Sequence, residues 1–182
     1  MDVRKLVTAA LFGVLITVVK GPFQPPYADL LVIVEAPIVG LSYLLLGRGG
    51  ATYTEIINGL LQSAFKANFF PLSILAAIFY GAQVDIYSWL LHAKVDGKAS
   101  SKRMFASLGI ASSTTGVLAA YISITTGIVP YTPSLFTVVY VPIVIWGVLS
   151  GAVGGALSAR IWERNLKARF GTLSSAEVSQ RN

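Results

Sequence analysis

Apolar runs alternate with short polar breaks along the whole chain. A helix needs roughly 17–25 mostly apolar residues to cross a bilayer. On that measure the pattern predicts six helices: Leu6–Lys20, Asp29–Gly47, Ala51–Ala67, Phe69–His92, Met104–Thr126 and Leu135–Ile161. The breaks carry turn chemistry. "KGPFQPPYAD" holds three prolines and a glycine, "GRGGA" is a tight turn, "HAKVDGKASSKR" is a polar loop, and "GIVPYTPS" is a short loop with two prolines. The expected fold class is all-α: an integral membrane protein of six transmembrane helices. Residues 1–162 form the transmembrane domain and 163–182 a polar cytoplasmic tail on the inner surface.

Composition agrees with that class. The 182 residues are 54% hydrophobic and 12% charged, with a mean hydropathy of +0.70. A soluble domain carries about twice that charge. The opening "MDVRKLVTAALFGVLITVV" has the basic start and apolar run of a signal peptide, but no convincing cleavage region follows. It is read as a retained first span. Basic residues set the orientation. With the N-terminus inside, 12 of the 14 lysines and arginines fall on the inner side, leaving only Lys20 and Lys66 outside. The net charge of +6 then reports topology, with both termini cytoplasmic, and not nucleic-acid binding. The absence of cysteine excludes a disulfide framework, a thiolate metal site and a cysteine nucleophile.

Polar residues interrupt the apolar runs. Asp29, Glu35, Glu55 and Asp85 lie in or at the edges of the predicted spans. Charges at membrane depth cost a few kcal/mol and face a cavity or a partner. Four acids against Lys20 and Lys66 leave a negative excess, which favours a cationic or proton-donating ligand if they share one cavity. "TYTE" at Thr52–Glu55 fits a capping box, in which Glu55 would serve the helix start alone. Against that, Glu55, Asn58 and Gln62 are spaced three and four apart on one face, and a polar face two turns long points to protein or a cavity. In the fourth helix Asp85, Trp89 and His92 share a face, with Tyr80, Gln83, Val84 and Tyr87 beside it. Rings beside a carboxylate suit a flat, hydrogen-bonding heterocycle. An interfacial aromatic belt accounts equally for Tyr87, Trp89 and His92 but not for Asp85. The lone histidine has no second one near it, so no metal site is expected.

Small residues mark close helix contacts. Gly147, Gly151 and Gly155 read as packing within the bundle, while Ala9 and Gly13 read as packing or as docking on a partner. There is no nucleotide-binding loop, no GxSxG elbow and no visible nucleophile–base set, so the chain is expected neither to be an enzyme nor to power transport itself.

Three stretches resemble a known family: "GRGGATYTEIINGLLQ" at Gly47–Gln62, "NFFPLSILAAIFYGAQVDIY" at Asn68–Tyr87 and "YTPSLFTVVYVPIVIWGVLSGAVGGAL" at Tyr131–Leu157. With six short spans and no ATPase, the chain resembles the substrate-binding S component of an energy-coupling factor (ECF) transporter, of the YkoE type associated with thiamine or its hydroxymethylpyrimidine precursor. The resemblance implies vitamin uptake across a prokaryotic plasma membrane, without a cofactor. The S component would bind its ligand from outside, dock on a T component driven by two ATPase subunits, and topple to release it inside. It also implies Glu35, Glu55 and Asp85 as pocket acids, with Asn58, Gln62, Tyr80, Gln83 and Trp89 as hydrogen-bonding and stacking groups. Tyr140 would be the aromatic near the start of the last span, and Ala9 and Gly13 the docking motif. By depth Glu35 lies about six residues in from the outer end, whereas Glu55 and Asp85 fall in the inner half. The alternative is a structural accessory subunit of a larger membrane complex, its buried acids paired with a partner's basic residues.

Overall fold

The computed structural model describes residues 3–23, 27–65, 71–125, 132, 137–138 and 141–168, apart from the side chains of Asp29, Ala120 and Ser123. The helices are α1 (Val3–Lys20), the single turn α2 (Tyr27–Leu30), α3 (Val32–Leu46), α4 (Gly50–Phe65), α5 (Leu72–Leu90), α6 (Ser101–Thr125) and α7 (Val141–Ile161), which continues as a π-helical turn, Trp162–Leu166. The fold is all-α apart from a two-strand hairpin. The predicted helix from Asp29 is broken at Leu31, where the chain turns between α2 and α3. By length and hydropathy, one described helix is sufficient to cross a bilayer, Val141–Leu166, and α3 is apolar but shorter.

Helix α3 is the hub. It packs on α1, α4, α5 and α7, while α4, α5, α6 and α7 follow one another around it and α1 lies against α4 and α3. Glycine lets α6 and α7 approach. A Cβ on Gly151 would collide with the Leu108 carbonyl, and one on Gly155 with the Met104 carbonyl. The small-residue stripe of α7 is therefore packing within the chain. The Ala9–Gly13 stripe, expected either to pack or to dock on a partner, packs on α4 in this structure. Ala9 is buried, and a Cβ on Gly13 would stand 2.9 Å from both Ile57 and the Thr54 carbonyl of α4. The face of α1 left open is that of Leu11, Val14, Leu15 and Val18.

The loop between α5 and α6 is more ordered than a polar loop. Lys94–Val95 pairs antiparallel with Lys98–Ala99 through Asp96 and Gly97, both at positive φ (48° and 74°), the requirement of a tight primed hairpin turn. Side chains moor it. Trp162 donates its Nε1–H to the Gly97 carbonyl at 2.9 Å. Lys94 donates to the Leu44 carbonyl at 2.5 Å and stands over the Trp162 ring at 4.1 Å. Glu163 accepts the Ala99 N–H at 2.6 Å and Lys167 at 3.1 Å.

Burial acts to raise the pKa of Glu163, but the Ala99 N–H and Lys167 outweigh it and hold the carboxyl below its ordinary range. The sign follows: a carboxyl lowered on folding stabilises at pH above its unfolded value, and that contribution is lost as pH falls through the folded value. Amide exchange at Ala99 should accelerate, relative to its intrinsic rate, on acidification below the ordinary carboxylate range. Glu163→Gln should abolish that pH dependence. An exchange profile indifferent to the substitution would remove Glu163 as the mooring.

Candidate functional site

The polar residues of α4 and α5 form two separate constructions. The first starts from a missing cap. Helix α4 opens after Gly47 and Gly49, both at positive φ, so no side chain of its own precedes it to take the first free N–H groups. Helix α5 supplies one. Gly81 lets the helices touch: a Cβ there would lie 2.8 Å from the Ala51 carbonyl and from Glu55 Cβ. One turn along the same face, Asp85 Oδ2 accepts the Thr52 N–H at 2.8 Å and the Thr52 hydroxyl at 2.5 Å, and Oδ1 accepts the Ala51 N–H at 3.3 Å. The negative charge sits where the helix dipole favours it. Asp85 is thus a cap supplied in trans, and within the chain both of its oxygens are hydrogen-bonded. The capping box is absent as well. Thr52 gives its hydroxyl to Asp85, and Glu55 bonds along its own helix to Asn58.

The second construction joins α1, α3 and α4. Glu55 Oε2 accepts the Asn58 amide N–H at 2.7 Å, and Asn58 Oδ1 accepts the Gln62 amide N–H at 2.6 Å. Thr17 on α1 reaches the same Asn58 oxygen at 3.1 Å while lying 2.9 Å from the Gly13 carbonyl. Beside this ladder Lys20 of α1 and Glu35 of α3 form an ion pair at 2.5 Å, with 12% and 6% of their side chains exposed. The charges of Glu35 and Lys20 both act on Glu55. Glu55 is 0% exposed, and its Oε1 has no hydrogen-bond partner. A fully buried polar atom left unpaired costs roughly 1–3 kcal/mol, so this one calls for an explanation.

Tyr80 borders the second construction. Its hydroxyl lies 3.3 Å from Ser112 Oγ, and it feels the charges of Glu35 and Glu55. Gln83 is turned to α6, donating to Thr115 Oγ1 at 3.4 Å and accepting from the Thr114 hydroxyl. Trp89 is not in the core. It is 47% exposed and lies under the Arg48 guanidinium, 4.5 Å from the ring centroid. Tyr140, Lys66 and Asn68 lie outside the described residues.

The structure therefore brings Glu35, Glu55, Asn58, Gln62 and Tyr80 together and sets Gln83, Asp85 and Trp89 apart. Sequence reasoning missed Thr17 and the pairing role of Lys20. Their signal was the spacing of Ala9, Gly13 and Thr17 on one face of α1, with Lys20 a turn beyond. Among the described residues no three His, Asp or Glu side chains gather as a metal site would need. Two open surface grooves, of about 330 and 300 Å³, lie at the hairpin end, and neither is lined by Glu35 or Glu55. Chemically, the site offers a carboxylate oxygen awaiting a donor or cation, next to a second acid whose cation is carried on a neighbouring helix. No family model, no curated protein and no solved structure matches the chain.

Proposed function

We propose that the chain is a substrate-binding subunit embedded in a prokaryotic plasma membrane, of the S-component kind, taking a thiamine-like pyrimidine at Glu35 and Glu55. It would deliver that ligand by docking on a T component driven by two ATPase subunits. The membrane part of the reading is supported by an inverted surface. Leu11 and Val18 of α1, Leu60 of α4, Ile86 of α5, Val117 of α6 and Ile145 of α7 are exposed, while Glu35, Glu55, Asn58, Gln62, Gln83 and Asp85 are buried. Apolar side chains exposed on every long helix belong against lipid or a partner. The exposed charges among the described residues are Arg4, Arg48, Asp96, Lys98, Lys102, Arg103, Arg160 and Arg164. All lie at helix ends or in the hairpin, on the side where Lys94 meets Leu44 and Trp162. That is the distribution expected of six spans with both termini inside.

The ligand part is carried by one observation, the buried and unpartnered Glu55 Oε1 beside the Lys20–Glu35 pair. A ligand N–H or ring cation would satisfy that oxygen, and a charge-assisted bond in such a place is strong. Entry requires the closed core to open, because Glu55 has no exposed surface. The same closure favours the second reading, a structural accessory subunit, since Gln83 and Asp85 are satisfied within the chain.

Calorimetry or tryptophan quenching on detergent-purified protein decides between them. Nanomolar binding of thiamine or hydroxymethylpyrimidine supports the first. No binding of either by folded protein, together with co-purification of a stoichiometric complex lacking ATPases, supports the second.

A further inference from the structure

An open groove of about 330 Å³ runs between α6 and α7 at the charged end, lined by Ser101, Lys102, Phe105 and Ala156. Its wall is apolar: Phe105 is half exposed, and Ala156 adds only a methyl group, leaving a slot and not a ridge. Its mouth is cationic. Lys102 is exposed, and Arg160, also exposed, stands four residues beyond Ala156 and so one turn nearer the charged end on the same face. An acyl chain suits an apolar wall, and a phosphate suits an ammonium with a guanidinium one turn away along the charged end. A free phosphate has no use for the apolar wall. A zwitterionic headgroup brings its own cation to two others.

We propose that this groove holds one anionic phospholipid, its phosphate at Lys102 and Arg160 and one acyl chain against Phe105 and Ala156. This rests on the membrane reading above but not on the thiamine assignment. Basic residues at a membrane surface each favour anionic lipid by about fivefold. Native mass spectrometry of the full chain, titrated with phosphatidylglycerol and phosphatidylcholine of matched acyl chains, should show one phosphatidylglycerol retained with a preference of about 25-fold. The double variant Lys102→Gln, Arg160→Gln should lose the preference while its circular dichroism stays native. Phe105→Ala should weaken both lipids. Equal retention of the two lipids by the unsubstituted chain, or an unchanged preference in the double variant, overturns the proposal. Displacement by millimolar inorganic phosphate would make the groove a free-phosphate site, and a dimer in place of a lipid adduct would make it a protein interface. Either also overturns it. A chain that stays dispersed without detergent removes the membrane reading itself, whereas failure to bind thiamine leaves the lipid result standing.

Discussion

Asp85→Ala is expected to destabilise the protein by on the order of 3 kcal/mol while leaving ligand affinity of the folded fraction within about twofold. The size follows from what one carboxylate holds. Two backbone N–H groups and a hydroxyl of α4 end on its two oxygens, and it is 8% exposed, so water cannot readily replace it. Loss of an ordinary cap costs about 1 kcal/mol, and bonds to a charged acceptor add more. Asp85→Asn keeps one acceptor oxygen and should lose about half as much. Unfolding in detergent, by heat or by titrated dodecyl sulfate and followed by tryptophan fluorescence, reads the effect. Wild-type stability in Asp85→Ala would show that α4 begins securely without the carboxylate. A large loss of affinity in folded Asp85→Asn would return Asp85 to the ligand.

Glu55→Gln is expected to behave in the opposite way. Its side-chain carbonyl can still accept the Asn58 amide, so the ladder through Asn58 and Gln62 survives. The substitution exchanges a buried carboxyl, one oxygen of which has no partner, for an amide of the same shape, so stability should change little. What disappears is the carboxyl that a cationic or hydrogen-bonding ligand would meet. Removing one charge-assisted contact of about 1.4 kcal/mol weakens binding tenfold, and that is the smallest loss expected in titrations with thiamine and hydroxymethylpyrimidine. Affinity equal to that of the unsubstituted protein would sink the assignment of Glu55 to the ligand.

The contrast between Glu55 and Asp85 also marks where the sequence stopped being legible. Helix existence was readable from apolar runs: the starts and ends of α1, α4, α5 and α6 fall within about three residues of the positions that hydropathy and turn residues give. The inward face of Glu55, Asn58 and Gln62 was readable from spacing alone, because spacing determines which residues share a face. What those residues bond was not. The "TYTE" capping signature at Thr52–Glu55 is a local rule, and it lost to a non-local carboxylate 33 residues further along, at Asp85. Such a cap can be found only once Gly81 is known to press α5 onto α4. Trp89 and Asp85 share a helical face, yet one carries a surface guanidinium and the other is buried, because position along the helix separates them as much as angle does. The hairpin was legible and passed over: "DG" at Asp96–Gly97 between two short flanks is a strong turn signal, subordinated to the polarity of the loop.

The Asp85 clasp has a mechanical consequence. A carboxylate that fastens the start of one helix to its neighbour makes α4 and α5 a single lever, with the closest backbone approach at Gly81 as its rivet. Bending one without the other would break bonds that nothing nearby replaces. The opposite flank is joined through side chains: Lys20 of α1 pairs with Glu35 of α3, and the Thr17 hydroxyl lies against both Asn58 of α4 and its own backbone. The bundle is therefore fastened to helix backbone on one flank and mainly side chain to side chain on the other.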